Sequence, residues 1–275
     1  MEQTGGKDMK KLFISADIEG TCGISAWSET IKERADYAPY AQRMSREVAA
    51  ACEGALEAGV EMILVRDAHD SARNIDWSFL PRQAQLIRGW GQDPLSMMTG
   101  LDESFMGVVF TGYHDAAGSG ENPLSHTLDT GVIWMSLNGE PLSEAVINTY
   151  TAARFQVPVL AITGDAGICA RMQALVPGIR TVPVNRGRGG LVLSIHPELA
   201  QQHIREAVAK ACDQANEREP LPLPEQFRLD VRYKEHPKAH RASFYPGMQR
   251  LDSHTLRYEA EDWYEVLRML HFCVS

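Results

Sequence analysis

The chain alternates short apolar runs with longer segments whose apolar residues recur at helical spacing. The runs at residues 12–16 and 61–66 predict buried strands. Between them, residues 36–58 predict a helix that ends before Gly59, a residue type that commonly follows a helix C-terminus. The order strand, helix, strand implies two parallel strands joined by a right-handed crossover.

The same patterns predict elements along the rest of the chain. Strands are predicted at 85–88, 107–111, 132–137, 158–163, 181–184, 227–233 and 255–259, and helices at 143–155, 166–175, 197–217 and 261–272. Asn138 and Gly139 form a tight-turn signal, and the segment 185–190 is interpreted as a turn. The expected fold class is α/β, with a mostly parallel sheet flanked by helices and a smaller C-terminal α+β part.

The expected organisation has three parts. Residues 1–9 are interpreted as a disordered lead, 10–217 as a metal-binding α/β domain, and 225–275 as the small C-terminal α+β part. The intervening stretch 218–224, R-E-P-L-P-L-P, is rich in proline and is typical of a stiff linker. The sequence contains no internal repeat.

Composition argues against a nucleic-acid-binding protein and against a membrane protein. The chain has 275 residues and a formal net charge of −9, which argues against a nucleic-acid partner because such proteins normally carry a basic face. We find no signal peptide and no apolar stretch of membrane-spanning length, so no membrane association is expected. Five cysteines without C-x-x-C spacing favour free thiols and a cytoplasmic location.

Two carboxylates, Asp17 and Glu19, follow the first predicted strand. In extended chain, residues i and i+2 point to the same side, so both acids face one point beyond the strand's C-terminal end. Ligands bind at that edge of open α/β sheets. Two like charges so close are costly unless a cation or a shared proton lies between them. We interpret the pair as part of a cation site.

Further polar residues follow other predicted strands. Asp67 and His69 end the second strand, His114 follows the fourth, and Asp165 follows the sixth. The carboxyl ends of parallel strands lie along one edge of the sheet, so these side chains are expected to converge. A single histidine or acid after a strand is more often an ordinary loop residue, but four such strand ends together favour a metal site.

Three candidates come from the middle of the chain. Glu144 is the first residue after a predicted N-cap, where the helix dipole alone is enough to explain a carboxylate. Asn148 lies four residues further, on the same helix face. His126 follows the glycine-rich stretch 116–123, which is flexible enough to place a histidine over a pocket or simply to expose it.

Taken together, these motifs resemble a known family. They are D-I-E-G at 17–20, D-A-H at 67–69, G-Y-H at 112–114, S-H at 125–126, Glu144 at its helix start, and V-P-V-L-A-I-T-G-D at 157–165. The chain resembles the dinuclear zinc D-aminopeptidases, bacterial metallopeptidases of the DppA type, over nearly its whole length after the first nine residues. Each motif alone is weak, and their order makes the match specific.

The resemblance implies a site and an assembly. It implies that the zinc ligands are Asp17, Glu19, His69, His114 and Glu144. Asp17 would bridge two Zn²⁺ ions, and His126 would be the catalytic residue, either a nucleophile or an acid–base group. Asp67, Asn148 and Asp165 match neighbouring positions and would support the ligands or contact substrate. The family assembles as a homodecamer of two stacked pentameric rings.

The expected function is a metal-dependent aminopeptidase that removes an N-terminal residue, expected to be a D-amino acid, from short peptides or amino-acid amides. Oxygen-rich ligation would also accommodate Mn²⁺ or Co²⁺. Asp115 and Asp165 are candidates for contacting the substrate's free ammonium group. Two alternatives stay open: a dinuclear hydrolase of other amides or phosphate esters, and a non-catalytic protein that binds a small metabolite.

Overall fold

The structure is a computed structural model that describes residues 9–274. Most of the predicted disordered lead, 1–9, therefore lies outside the described residues. The strands are β1 (Lys11–Ala16), β2 (Met62–Asp67), β3 (Ala84–Ile87), β4 (Gly107–Tyr113), β5 (Val132–Leu137), β6 (Glu140–Pro141), β7 (Val159–Asp165), β8 (Arg180–Arg188), β9 (Leu191–Ser194), β10 (Phe227–Tyr233), β11 (Gln249–Arg250) and β12 (Thr255–Ala260). The helices are α1 (Tyr37–Glu57), α2 (Glu144–Arg154), α3 (Ala166–Leu175), α4 (Pro197–Asp213), α5 (His236–Ala242) and α6 (Trp263–Cys273).

A seven-stranded sheet forms the centre of the molecule, in the order β3-β2-β1-β4-β7-β8-β9. Every pairing in it is parallel except that of β8 with the edge strand β9. Strands β4 and β7 are buried along their whole length, which explains why their first residues form uninterrupted apolar runs without polar alternation. Helices α1 and α4 pack on one face, and α2, α3 and a second sheet cover the other. The α/β prediction is confirmed.

The second sheet has five strands in the order β11-β12-β10-β5-β6, and all its pairings are antiparallel. Its β5–β6 hairpin turns at Asn138 and Gly139, both with positive φ, as the turn signal predicted. Strand β5 pairs with β10, which follows it by some ninety residues, so this sheet combines segments from both sides of the predicted linker. The domain division 10–217 and 225–275 stays a prediction.

Some element bounds differ from the prediction. The segment 185–190, interpreted as a turn, continues β8 as far as Arg188, because β9 returns antiparallel beside it. The turn itself is Gly189–Gly190. The predicted helix 197–217 ends at Asp213 and is followed by a separate 3-10 turn at Ala215–Glu217. Within residues 9–274, no helix is both long and apolar enough to cross a membrane.

Candidate metal centre

Five acids and histidines converge at the C-terminal edge of the large sheet. Asp17 and Glu19 follow β1, His69 follows β2, His114 follows β4, and Glu144 is the first residue of α2. Each is 8% exposed or less. Ser143 caps α2 by accepting a hydrogen bond from the amide of Val146 (3.3 Å), which fixes where that helix begins.

Asp17 lies between two histidines. Its Oδ1 is 3.4 Å from His69 Nδ1, and its Oδ2 is 3.4 Å from His114 Nε2. Glu19 Oε2 lies 3.1 Å from His69 Nδ1, on the first side of Asp17. Glu144 Oε2 lies 3.6 Å from His114 Nε2, on the other side. The donor atoms therefore form two groups that share the Asp17 carboxylate.

Three donor atoms in this cluster have no hydrogen-bond partner among residues 9–274, although they are buried. They are Asp17 Oδ2, Glu19 Oε2 and His114 Nε2. Buried polar atoms are nearly always paired, because an unpaired one loses its hydration without compensation. Oxygen and imidazole nitrogen atoms facing one point are ligands suited to a divalent metal ion. The chemistry of this donor set therefore fits a metal centre.

The imidazole rings are oriented by backbone carbonyls. His69 Nε2 donates to the carbonyl oxygen of Thr30 (2.9 Å), and His114 Nδ1 donates to that of Asp115 (3.0 Å). Since each donating nitrogen carries the proton, the opposite nitrogen of the neutral ring faces Asp17 with a free lone pair. This arrangement is common for metal-binding histidines.

The buried carboxylates of the cluster require positive charge nearby. Burial raises the pKa of Asp17 to about 8, and the neighbouring Glu19 carboxylate contributes to the increase. Burial alone would lower the pKa of His69, but the Glu19 and Asp17 carboxylates raise it well above its ordinary value. The pKa of His114 is raised in the same way, mainly by Glu144. Protons on these imidazoles would thus balance the buried acids, and a divalent cation bound by the neutral rings would supply the same positive charge.

Two glycines allow the strand ends to approach closely. The Asp17 amide donates to the carbonyl of Thr111 (2.9 Å), and the Gly20 amide donates to that of Gly112 (2.8 Å). Gly112 has φ +68, and a β-carbon there would overlap the backbone carbonyl of Asp17. A β-carbon on Gly20 would overlap the carbonyl of Tyr113. Larger residues at these positions would push the Asp17 segment away from His114.

His126 lies beside the five-residue cluster and contacts two of its members. Its ring stacks on His114, with centroids 4.2 Å apart and planes 10° apart, and its Nε2 is 3.6 Å from Glu144 Oε1. Its Nδ1 donates to the carbonyl of Leu124 (2.9 Å). Burial and the neighbouring His114 lower the pKa of His126.

A cavity of about 600 Å³ opens onto the cluster. Asp17, Glu19, His69, His126 and Glu144 line it, together with Trp27 and Trp90. Four further lining residues have positive φ although they are not glycine: Asp70, Gln92, Ser96 and Leu128. Such backbone strain concentrates at functional sites, where the surrounding structure must hold it. The donor cluster therefore forms part of the wall of an accessible pocket.

Comparison with known proteins agrees with this geometry. The model of the D-aminopeptidase family matches residues 9–272, almost the whole chain. The chain belongs to the D-aminopeptidase family. The chain is 28% identical to the D-aminopeptidase of Bacillus subtilis (strain 168) over 262 residues, which cover 94% of this chain and 95% of that protein.

A solved structure of a family member has the same fold. It is the Zn-dependent D-aminopeptidase DppA from Bacillus subtilis, described as a self-compartmentalizing protease. The TM-score is 0.88 at 27% sequence identity, with 94% of this chain and 95% of the other covered. The two-sheet architecture is therefore shared along nearly the full length of this D-aminopeptidase family member.

Of the residues expected to support the site or contact substrate, Asp67 anchors the loop after β2. Its carboxylate accepts hydrogen bonds from the amides of Asn74 and Ile75 and from the Asn74 side chain. Asn74 in turn donates to the carbonyl of His69 (2.7 Å). Asn148 donates to the Tyr113 hydroxyl (2.8 Å), and it does not line the cavity.

Asp115 and Asp165, the expected ammonium contacts, also lie outside the cavity lining. Asp165 accepts a hydrogen bond from the Asp115 amide (2.8 Å) and caps α3 through the amide of Ile168 (2.8 Å). The Asp115 carboxylate is bound by the guanidinium of Arg171 and by the Ser119 hydroxyl. The structure therefore engages both carboxylates in internal contacts behind His114, away from the pocket.

Some residues at the site were not predicted. Trp27 touches His126, with ring centroids 5.2 Å apart and planes 69° apart. Asn122 donates to the carbonyl of Glu19 (3.2 Å) and to the Asp165 carboxylate (3.1 Å), joining the glycine-rich loop to the β1 end. No local sequence signal indicates either contact. Cys22, next to the acid pair in sequence, packs in the core and donates its thiol to the carbonyl of Ile195.

Proposed function

We propose that this protein is a metal-dependent aminopeptidase that hydrolyses the N-terminal residue, a D-amino acid, from short peptides or amino-acid amides. The observation that carries the proposal is the buried, partnerless donor set around Asp17 at the wall of an accessible cavity. Family membership along the whole chain supports the reaction class, and the relatives' names support the preference for D-residues.

We propose two zinc ions per subunit, with Asp17 shared between them. Glu19 and His69 would complete one ligand group, and His114 and Glu144 the other. Support comes from the two Asp17 oxygens, which face different imidazoles. The zinc dependence named for the structural relative supports the choice of metal, and Mn²⁺ or Co²⁺ would suit the same oxygen-rich set. When bound, such ions polarise a peptide carbonyl and lower the pKa of a water molecule.

His126 is the proposed acid–base residue. Its Nδ1 proton is committed to the Leu124 carbonyl, so the neutral ring has its lone pair at Nε2. That nitrogen takes up the proton that the attacking water releases and then gives it to the departing amine, a role that suits a histidine whose pKa is held below its ordinary value. The Glu144 carboxylate, whose Oε1 accepts from the Leu128 amide (2.8 Å), keeps its other oxygen toward His114.

We further propose a cytoplasmic homo-oligomer, a decamer as in the family it resembles. The self-compartmentalizing description of the structural relative supports oligomerisation. Five buried cysteines without a disulfide among the described residues support a reducing compartment. Light scattering coupled to size-exclusion chromatography measures the mass: a decamer gives about ten times the 30.5 kDa of one chain, and a monomer contradicts the proposal.

A single panel tests the activity. Purified protein is assayed against paired D- and L-dipeptides, the corresponding amino-acid amides and p-nitrophenyl phosphate, and its metal content is measured on the same sample. We expect hydrolysis of D-residue peptides and amides, with two zinc ions per chain. Turnover of the phosphate ester alone would favour a phosphoesterase, and ligand binding without turnover or metal would favour a metabolite-binding protein. Faster cleavage of the L-peptides would contradict the proposed stereochemistry.

A further inference from the structure

His126 has few restraints for a residue that must deliver a proton. It lies on the loop after the glycine-rich stretch 116–123, and its one short hydrogen bond joins it to the carbonyl of Leu124, only two residues away. That bond moves with the loop and does not fix the ring in the site. One face of the ring lies on His114, which leaves the opposite side to other contacts.

Trp27 adds a contact from outside the loop to those made by His114 and Glu144. Its indole meets the His126 ring in an edge-to-face arrangement, with centroids 5.2 Å apart. Trp27 also lines the cavity and keeps 38% of its surface exposed. Trp27 is therefore placed to restrain the imidazole ring of His126 from the pocket side.

The turn that carries Trp27 is itself well anchored. Its 3-10 turn spans Trp27–Glu29, and the Glu29 carboxylate accepts hydrogen bonds from the amides of Ser25 (2.6 Å) and Ala26 (3.0 Å). The Thr30 hydroxyl donates to the Trp27 carbonyl (3.1 Å). These contacts restrain the backbone of Trp27 in a loop that is otherwise irregular.

The same turn also contacts the other side of the centre. The carbonyl of Thr30 accepts the hydrogen bond that orients His69. One short segment, residues 27–30, therefore contacts an imidazole from each side of Asp17: His69 through a backbone carbonyl and His126 through an indole. A segment that only covered the pocket would not need contacts to both rings.

We propose that Trp27 is a positioning residue that holds the His126 imidazole against His114, so that Nε2 faces the reacting bond. This inference rests on the proposed function of His126. Loss of the indole frees the ring to turn away, and misplacement of a catalytic group by about 1 Å costs up to about 100-fold in rate. The metal ligands keep their own restraints, so metal binding does not depend on the indole.

The test compares Trp27→Leu and Trp27→Phe with Trp77→Leu in the zinc-loaded enzyme. Trp77 is a matched control because it also lies in a 3-10 turn, is 52% exposed and is not part of the cavity lining. For Trp27→Leu we expect kcat to fall at least about 10-fold, with KM changed less than about twofold and full zinc content. Trp27→Phe, which keeps an aromatic ring, should retain most of the kcat.

Several results would overturn the inference. In Trp27→Leu these are an unchanged kcat, a lower kcat/KM caused only by a higher KM, or a lower zinc content. In Trp27→Phe it is a fall in kcat as large as that of Trp27→Leu. A crystal structure of zinc-loaded Trp27→Leu gives a readout that needs no activity: a displaced or multiply oriented His126 ring supports the inference, and a ring still stacked on His114 contradicts it. A wild-type enzyme inactive on every peptide would contradict the proposed function and leave this structural test decisive.

Discussion

His126 lies flat against His114, with ring centroids 4.2 Å apart and planes 10° apart. Two positively charged imidazoles in this position would repel each other. Positive charge on the His114 ring therefore favours the neutral form of His126. The pKa of His126 is accordingly lowered by burial and by His114. A stacked ring is close enough to the centre to exchange protons at the reacting bond, and its Nδ1 is already engaged elsewhere.

Replacing His126 by Ala should remove proton transfer and leave the metal centre intact. We expect kcat to fall by about 10²–10⁴-fold, the usual contribution of an acid–base group, with two zinc ions still bound. Steady-state kinetics and metal analysis on one sample measure both. His203→Ala, on an exposed turn of α4, is the control and should match the wild type. Loss of zinc from His126→Ala would assign His126 to the ligand set instead.

Removing the shared Asp17 carboxylate should abolish zinc binding as well as activity, whereas His126→Ala should keep its zinc. In Asp17→Ala both ligand groups lose a donor atom, so we expect zinc content and activity to disappear together. Excess zinc in the assay should restore little of either. Asp213→Ala, which removes an exposed carboxylate at the end of α4, should change neither quantity. An Asp17→Ala enzyme that kept two zinc ions and full activity would exclude Asp17 as a ligand.

The ligand candidates were identifiable from sequence because each follows a recognisable local pattern. The D-x-E pair comes directly after an apolar strand, and Glu144 follows its own N-cap. Strand order explains why the residues after β1, β2 and β4 meet at one edge of the sheet, whereas the approach of Glu144 depends on how α2 packs. The β-α-β order also fixed the parallel pairing of β1 and β2. Where local periodicity and the order of the elements determine the structure, the predicted fold class is confirmed.

The remaining features depend on long-range packing. Nothing in the pattern of β5 distinguishes a strand of the large sheet from a partner of β10, because antiparallel pairing across some ninety residues leaves no local signal. The contacts of Asp115 and Asp165 are likewise visible only in the fold, where Arg171 binds one carboxylate and the Asp115 amide binds the other. Trp27 is one aromatic residue in an irregular loop, and its contact with His126 is visible only in three dimensions.

Asp165 should affect the metal affinity of the site by holding the backbone that orients His114. It holds the amide of Asp115, whose carbonyl orients the His114 ring. In Asp165→Ala we expect metal affinity to fall by about 10–100-fold, the usual cost of losing a group that supports a ligand. Zinc titration against a competing chelator measures this change.

The control for Asp165 is another aspartate that caps a helix. Asp262 accepts from the amide of Tyr264 (2.9 Å) at the start of α6, and it lies 3.6 Å from Arg154, at the end of α2 opposite to Glu144. Asp262→Ala should lower the free energy of unfolding by about 1 kcal/mol through loss of a cap. Asp165→Ala should lower it further, because the buried Asp115 amide and the Asn122 side chain also lose their acceptor. Only Asp165→Ala should weaken zinc binding, and equal zinc affinity in the two variants would contradict the positioning role.

Glu47 on α1 gives a prediction about stability and pH. Its carboxylate is buried, and Oε1 accepts a hydrogen bond from the Cys22 amide (2.9 Å), whereas Oε2 has no partner among residues 9–274. Burial raises its pKa from 4.5 to about 8, although the Cys22 amide and Arg43 oppose the shift. Between those two pH values the folded protein holds a proton that the unfolded chain has lost, so the free energy of unfolding falls as pH rises toward 8.

Glu47→Gln should remove this dependence, because an amide keeps the acceptor and does not ionise. We expect the variant to be close to the wild type at pH 5 and more stable by at least about 1 kcal/mol at pH 8.5, measured by urea unfolding with zinc present in both proteins. Glu53→Gln, an exposed position on the same helix, is the control and should show no pH-dependent difference. A Glu47→Gln variant that is less stable than the wild type at pH 8.5 would mean that the buried carboxylate is ionised and stabilised by Arg43.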